Sequence, residues 1–264
     1  MIYNISYKYN LYVNFMLKLF KAGIKTLKKN LKRKNGNNKW GIVWYFLDPL
    51  MLFITFLFLF KVILKVQEDI YPLHLLTGLI IFNFFRSTTI QSLHTVNNNK
   101  KRNDFDLGIS VLANLFHSTF LHIFEIGLLI ILLIYFKFTL VWLLVYPIIF
   151  LFFLLFTFGV TLVLSIFVLY FRDLPRAWSI LMRTLWFITP TFYFVEKTSN
   201  IYFFNLFNPL FYFLHISREF VIYNRIPELW MILVMIYGSL FTFLFGIIIF
   251  QKSRKRVEKK LEGL

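Results

Sequence analysis

The sequence contains no cysteine and few charged residues, and both shortages limit what the chain can be. Without cysteine it can form no disulfide, no thiolate metal site and no cysteine nucleophile. Charged residues make up only 16% of the chain, below the roughly one quarter that is usual in soluble domains. An ordinary soluble core is therefore excluded.

Motifs for nucleotide binding and hydrolysis are also absent. The sequence has no G-x-x-x-x-G-K-[ST] phosphate loop, no H-E-x-x-H zinc motif and no G-x-S-x-G nucleophile elbow. We therefore predict no catalytic residue, no metal site and no cofactor bound by this chain. Any work that the chain does must draw its energy from another molecule.

Long apolar runs are what the chain does have. Hydrophobic residues make up 59% of it, and no run of about ten residues alternates strictly as a membrane β-strand would. Runs of about 20 apolar residues predict membrane-spanning helices. We predict an all-α polytopic membrane protein with six transmembrane helices, at about 42–64, 73–93, 110–135, 138–171, 178–195 and 229–250.

The net charge of +17 is concentrated at the two ends and in short loops beside the apolar runs. This distribution is typical of membrane orientation and of contact with anionic lipid, and it argues against nucleic-acid binding. Over 12–34, lysines flank an apolar stripe, which predicts a basic amphipathic helix in the membrane interface. The predicted parts, with both termini cytoplasmic, are an interfacial helix and N-terminus (1–39), a transmembrane domain (40–250) and a basic tail (251–264).

The apolar segment 201–222 is interrupted by polar residues, among them Asn205, Asn208 and Arg218. A full span here would place the basic C-terminal tail outside, against the positive-inside rule. We therefore predict a re-entrant helical hairpin between the fifth and sixth spans, entering from the outer side and turning at Asn208-Pro209.

A few ionisable residues fall inside the predicted spans, among them Asp48, Arg86, His122 and Glu125. A charge at this depth is costly unless it faces protein or water, or reaches the interface as Arg86 could. His122 and Glu125 share a helix face at i, i+3. They form either a metal or proton site or a polar contact between packed helices.

Two inner loops differ in character. The segment 97–106 is long, polar and mixed in charge. The link between the fourth and fifth spans is short and ends in a proline that suits the first turn of a helix. We predict that this link is a structural hinge, made of Phe171, Arg172, Asp173, Leu174 and Pro175.

Several sequence features occur in the order found in one family. They are the basic interfacial helix, Gly41-x-x-Trp44-x-x-x-x-Pro49, a polar inner loop, Phe171-Arg172-Asp173-Leu174, Thr189-Pro190-Thr191-Phe192-Tyr193, and Asn208-Pro209 with Arg218 ten residues after the asparagine. From about Phe15 to Lys255 the chain resembles the permease subunits of ABC type-2 transporters, in the branch that exports polysaccharide, O-antigen and teichoic acid. It departs from that family at Asn38 and Trp40, and in the loop 97–106, which lacks the usual prolines.

The resemblance implies a homodimer in the cell membrane that exports a lipid-linked glycan with two copies of a separate ATPase subunit. That nucleotide-binding subunit would hold ATP and Mg. Contact with the ATPase subunit would involve Asn97, Lys100, Lys101, Arg102, Asp104 and Asp106. The translocation path or its gate would involve Trp44, Pro49, Pro190, Tyr193, Asn208, Pro209 and Arg218.

Two other functions stay open on the sequence. An ABC type-2 exporter of drugs or small lipids would have the same architecture, and the neighbouring genes would distinguish it. A membrane-embedded glycosyl or acyl transferase would need accessible acidic groups at the inner face. Apart from the tail, the candidates are Asp104, Asp106 and Asp173.

Overall fold

The computed structural model describes residues 21, 24, 41–99 and 107–262, and the regular structure within them is helical. From residue 41 onward the α-helices are α1 (Gly41–Leu57), α2 (Tyr71–Asn99), α3 (Leu107–Tyr135), α4 (Tyr146–Tyr170), α5 (Leu174–Ile188), α6 (Asn200–Asn205), α7 (Pro209–Val221) and α8 (Leu229–Glu262). The predicted interfacial helix at 12–34 falls almost wholly outside the described residues.

Helices occupy each of the predicted spans. α1 continues without a break into a π-helix, Phe58–Ile63, so the first span is helical over its predicted length. α2 and α3 extend beyond the predicted spans, and α8 runs on to Glu262 through most of the predicted basic tail. A 3₁₀-helix, Val141–Val145, precedes α4, and Pro147 lies in the first turn of α4, where its missing N–H costs nothing.

The fifth span is shorter than predicted. The sequence predicts helix to about 195, but α5 ends at Ile188 and Thr189 is extended, with φ −68° and ψ 133°. The cause is Pro190, because a proline ring disfavours the α-helical conformation of the residue before it. Apolar residues continue past this point, and hydropathy alone therefore overestimates the helix.

Four helical segments in the described residues are long and apolar enough to cross a membrane: Tyr71–Asn98, Leu107–Tyr135, Val141–Tyr170 and Leu229–Ser253. This is the pattern of a multi-pass membrane protein. α1 has 17 residues and α5 has 15, which is short of a full crossing by α-helix alone.

α2 lies at the centre of the helix bundle. It packs against α1, α3, α4, α5 and α7, and most of its side chains are buried. α4 packs most extensively against α8, and their backbones nearly touch. A Cβ atom on Gly159 would lie 2.3 Å from the Thr242 carbonyl oxygen, so only glycine permits this approach.

Candidate functional site

Arg218 forms three hydrogen bonds that hold the start of the segment following α5. Arg218 on α7 is 4% exposed. Its Nη1 donates a hydrogen bond to the Pro190 carbonyl at 2.7 Å, and its Nη2 donates to the carbonyls of Thr191 at 3.0 Å and His74 at 2.8 Å. No carboxylate of the described residues pairs with it. We call Arg218 and these three carbonyls the arginine clamp.

The clamp solves a problem that Pro190 creates. Where α5 stops, its last carbonyl groups lose their helical hydrogen-bond partners. An unpaired carbonyl that is buried away from water costs roughly several kcal/mol. A guanidinium has five N–H donors in a rigid fork, so one side chain can serve several carbonyls at once. Arg218 therefore stabilises a non-helical segment and joins it to α2 through His74.

One face of α2 is shaped to receive this segment. The Tyr71 hydroxyl donates to the Phe192 carbonyl at 2.9 Å, and His74 Nε2 lies 3.2 Å from the Tyr193 carbonyl, which accepts. A turn further on, a Cβ at Gly78 would lie 2.6 Å from the Thr191 carbonyl oxygen and 2.7 Å from Arg218 Nη2. Gly78 thus leaves the space that the clamp occupies.

The start of α7 is tied to the end of α5. Asn208, itself buried, caps α7 by accepting a hydrogen bond from the Leu210 N–H at 3.1 Å, with Pro209 in the first turn. Its Nδ2 donates to Thr189 Oγ1 at 2.8 Å. The Tyr193 hydroxyl donates to the Ile188 carbonyl at 2.6 Å. Both hydrogen bonds fix the end of α5, the first to the start of α7 and the second to the segment that follows α5.

The structure brings together five of the seven residues predicted for the path or gate: Pro190, Tyr193, Asn208, Pro209 and Arg218. Trp44 and Pro49 lie on α1, apart from this cluster, and the side chain of Trp44 is outside the described residues. Sequence reasoning missed Tyr71, His74 and Gly78. The only local signal was a glycine inside an apolar helical run.

The predicted contact with an ATPase falls mostly where the structure gives no description. Asn97 lies near the end of α2. The rest of the predicted set, Lys100, Lys101, Arg102, Asp104 and Asp106, lies outside the described residues. The role of this loop therefore stays a prediction.

The predicted hinge is a link of three residues between α4 and α5. Phe171 ends α4 in an extended conformation, Arg172 and Asp173 are exposed, and α5 begins at Leu174 with Pro175 in its first turn. The geometry is that of a tight connection between two helices. Movement about it stays a prediction.

The pair His122 and Glu125 is a polar contact between helices. His122 Nδ1 lies 3.0 Å from Glu125 Oε2, and its Nε2 lies 2.9 Å from the Tyr146 hydroxyl on α4. Its ring also stacks on Phe150 at 4.3 Å between centroids. In the described ranges no three His, Asp or Glu side chains converge as a metal site would need. The structure shows the contact between packed helices, and a role for the pair as a proton site stays a prediction.

An ion pair joins the segment 189–199 to the start of α8. The Lys197 ammonium donates to the Glu228 carboxylate, which also accepts from Trp230 Nε1 at 2.6 Å. These donors, Lys197 first, lower the pKa of Glu228 below its ordinary value. The same contact raises the pKa of Lys197.

Comparison with known proteins places this geometry in context. No family model matches the chain. Two curated relatives, both from Klebsiella pneumoniae, carry the name O-antigen export system permease protein RfbA. One is 28% identical over 247 residues, which cover 90% of this chain and 94% of the relative. The other is 29% identical over 195 residues, covering 72% and 73%.

The chain is similar to O-antigen export permeases. Its resemblance to the ABC type-2 permeases of the glycan-export branch is thereby confirmed. Since the first relative is matched over nearly its whole length, the similarity concerns the membrane domain as a unit and not an isolated motif.

Proposed function

We propose that this chain is the permease subunit of an ATP-driven exporter of a lipid-linked polysaccharide, such as an O-antigen. The observation that carries the proposal is the similarity to an O-antigen export permease over 94% of that protein's length. The long apolar helices support the proposal, because a permease subunit has to span the membrane.

ATP and Mg would be bound by a separate nucleotide-binding subunit, since the chain has no phosphate loop. Two copies of the chain would form a homodimer with two ATPase subunits. The inner loop 97–106 would be the main contact with the ATPase, because it is the longest polar segment between spans.

The proposed orientation has six crossings and both termini in the cytoplasm. α1 and the π-helix after it give 23 consecutive helical residues, about 35 Å, which is enough to cross. α5 would cross together with the clamped segment after Ile188. The arginine clamp would then lie toward the outer side, with α6 and α7 forming the re-entrant hairpin.

In this orientation the clamp would fix the outer end of α5, the hairpin and α2 as one unit. Any opening toward the outside would have to move that unit whole or break hydrogen bonds to Arg218. The clamp would therefore set the position of the exit gate.

Complementation tests the proposal. A bacterial strain that lacks its own O-antigen permease receives this chain together with the ATPase encoded beside it. We expect glycan at the cell surface, detected by antibody, and none when the ATPase carries an inactive phosphate loop. Lipid-linked glycan retained inside the cell, with increased resistance to drugs, would instead favour the drug or small-lipid exporter.

A further inference from the structure

A cavity with a largely apolar lining and several charged and polar groups lies between α1, α2 and α3, away from the arginine clamp. It has a volume of about 370 Å³, which is within the range of sites for small ligands. Its lining brings together three of the ionisable residues that fall inside the predicted spans, Asp48, Arg86 and Glu125. The amides of Asn83 and Gln91 line it as well.

The charged groups of this cavity do not neutralise one another. Among the described residues, neither Asp48 nor Arg86 forms an ion pair. The Arg86 guanidinium lies over the Trp186 ring, 5.5 Å from its centroid, which positions the group but leaves its N–H edge for a ligand. Glu125 gives one carboxylate oxygen to His122.

A buried hydroxyl also lacks a partner in this cavity. Ser118 Oγ is buried and has no hydrogen-bond partner in the part of the chain that the structure describes. Buried polar atoms are normally satisfied, by protein, water or ligand. This observation is independent of the charges, and it adds to the lining a polar group whose hydrogen-bonding capacity is unused.

The depth of the cavity identifies the kind of molecule that reaches it. This step uses the orientation proposed above. Counting about 20 residues from Tyr71 puts the inner edge of the hydrocarbon near Gln91, with Arg86 about 7 Å deeper. Asp48 is seven residues into α1 and exposed on the isolated chain. In this orientation the cavity lies within the inner leaflet, so the polar group nearest to it is the headgroup of a lipid.

The charges select among headgroups. A plain anionic phosphate would suit Arg86 but would face two carboxylates, whereas a plain cation would suit the carboxylates but face Arg86. We propose that the cavity binds an aminophospholipid of the phosphatidylethanolamine type, with its phosphate on Arg86 and its ammonium group at Asp48 and Glu125. The primary ammonium matters, because each of its N–H groups can donate to a carboxylate or to Ser118.

Native mass spectrometry of the purified full-length chain tests this binding. The detergent-solubilised protein is titrated with phosphatidylethanolamine, its mono- and dimethylated forms, phosphatidylcholine and phosphatidylglycerol, all with the same acyl chains. We expect phosphatidylethanolamine to bind about tenfold more tightly than phosphatidylglycerol, and affinity to fall with each added methyl group. Equal affinity across the series would overturn the inference.

Variants locate the site. Asp48→Asn and Arg86→Gln should each remove most of the preference for phosphatidylethanolamine, and Ser118→Ala should weaken it with less disturbance of the fold. The matched controls are Glu196→Gln and Arg176→Gln, which change the same groups at exposed positions outside the cavity. A preference that survives both Asp48→Asn and Arg86→Gln would refute the site, and the methylation series tests the unmodified chain if a variant misfolds.

A competition arm separates the lipid from its free headgroup. Soluble phosphoethanolamine should compete only at concentrations far above those of the lipid, because the acyl chains add affinity; competition at equal concentration would overturn the assignment to a lipid. The measurement needs no glycan. A chain that shows the lipid preference but fails in complementation contradicts the proposed function alone, and the reverse result contradicts this inference alone.

Discussion

Two contacts between distant parts of the chain each require a glycine, but for different reasons. Between α4 and α8, Gly159 faces the main chain of Thr242 and Gly246, and the contact is backbone against backbone. Between α2 and the segment after α5, Gly78 faces the Thr191 carbonyl and the Arg218 guanidinium. Gly159 leaves room for the backbone of a neighbouring helix, and Gly78 leaves room for a hydrogen-bonded guanidinium group.

The difference shows two ways of joining segments where lipid supplies no hydrophobic driving force. Close approach of backbones gains van der Waals contact along a whole helix, whereas interhelical hydrogen bonds act at single points. The α4–α8 contact is therefore spread over many residues. The arginine clamp depends on one side chain.

The largest expected effect comes from Arg218→Met. The change removes three hydrogen bonds from a charged donor, each worth about 1.5–3 kcal/mol net, and leaves three carbonyls without that partner. We expect a loss of stability of at least about 3 kcal/mol, measured as thermal unfolding of the solubilised chain. The stability of Arg218→Lys should lie between that of the unaltered chain and that of Arg218→Met. The control is Arg176→Met, which changes an exposed arginine. An unchanged melting temperature would contradict the clamp.

Gly159→Ala should have the next largest effect. The new Cβ would lie 2.3 Å from the Thr242 carbonyl oxygen and 2.8 Å from the Phe243 Cα, so the two backbones must separate. The expected cost is about 1–3 kcal/mol, as for overpacked cores. Gly127→Ala and Gly238→Ala are the controls, because nothing lies within 4 Å of either position, and both should be neutral or stabilising.

Gly78→Ala should cost somewhat less, about 1–2 kcal/mol on the scale of overpacking. Its nearest contacts would be 2.6 Å to the Thr191 carbonyl oxygen and 2.7 Å to Arg218 Nη2, less close than the 2.3 Å at Gly159, so its neighbours have less far to move. The same unfolding assay applies, again with Gly127→Ala as the control. A loss larger than that of Gly159→Ala would mean that the Thr191 main chain is the more rigid neighbour.

Double-mutant cycles sharpen the comparison. Gly78→Ala and Arg218→Met act on the same cluster, so their effects should fall short of additivity, with a coupling of about 0.5–3 kcal/mol. Gly159→Ala and Arg218→Met share no partner in the contacts described and should add to within about 0.5 kcal/mol. Strong coupling in the second pair would show that the two contacts form one unit.

The smallest effect is expected at the ion pair of Lys197 and Glu228. The pKa of Glu228 is lowered in the folded chain, so its contribution is present above its ordinary value of about 4.5 and is lost as the pH falls through the lowered value. The protection of the amides in 189–199, measured against their intrinsic exchange rate at each pH, should therefore decrease below about pH 4.5, and only locally, because solvent screens both side chains. In Glu228→Gln the exchange should be faster already at neutral pH and lose this dependence.

Much of the fold can be predicted from the sequence, because a long apolar run in a membrane must satisfy its backbone hydrogen bonds internally and therefore forms a helix. The helices at 71–99, 107–135 and 229–262 contain the spans that hydropathy predicts. The end of α5 was predicted wrongly because residues 192–195 remain apolar after Pro190. What permits the early end is Arg218, which lies 28 residues after Pro190 and supplies donors that no local pattern reveals.

The residues of the candidate site also fall into a group that the sequence predicts and a group that it does not. Pro190, Asn208 and Arg218 were predicted because each breaks an apolar run or belongs to a family motif. Their receiving surface on α2 was not predicted, since His74 lies 144 residues before Arg218 in the sequence. A glycine in a helix signals a close approach, but it does not name the partner.

The early end of α5 has a consequence for the bilayer itself. A helix of 15 residues is about 22 Å long, some 8 Å less than a typical hydrocarbon layer of about 30 Å. A membrane beside a short helix adapts by thinning, at a cost of fractions of a kcal/mol per Å. In the proposed orientation the clamped segment after Ile188 covers that difference instead, so the bilayer need not thin, and the outer part of this crossing depends on Arg218 for its backbone hydrogen bonds.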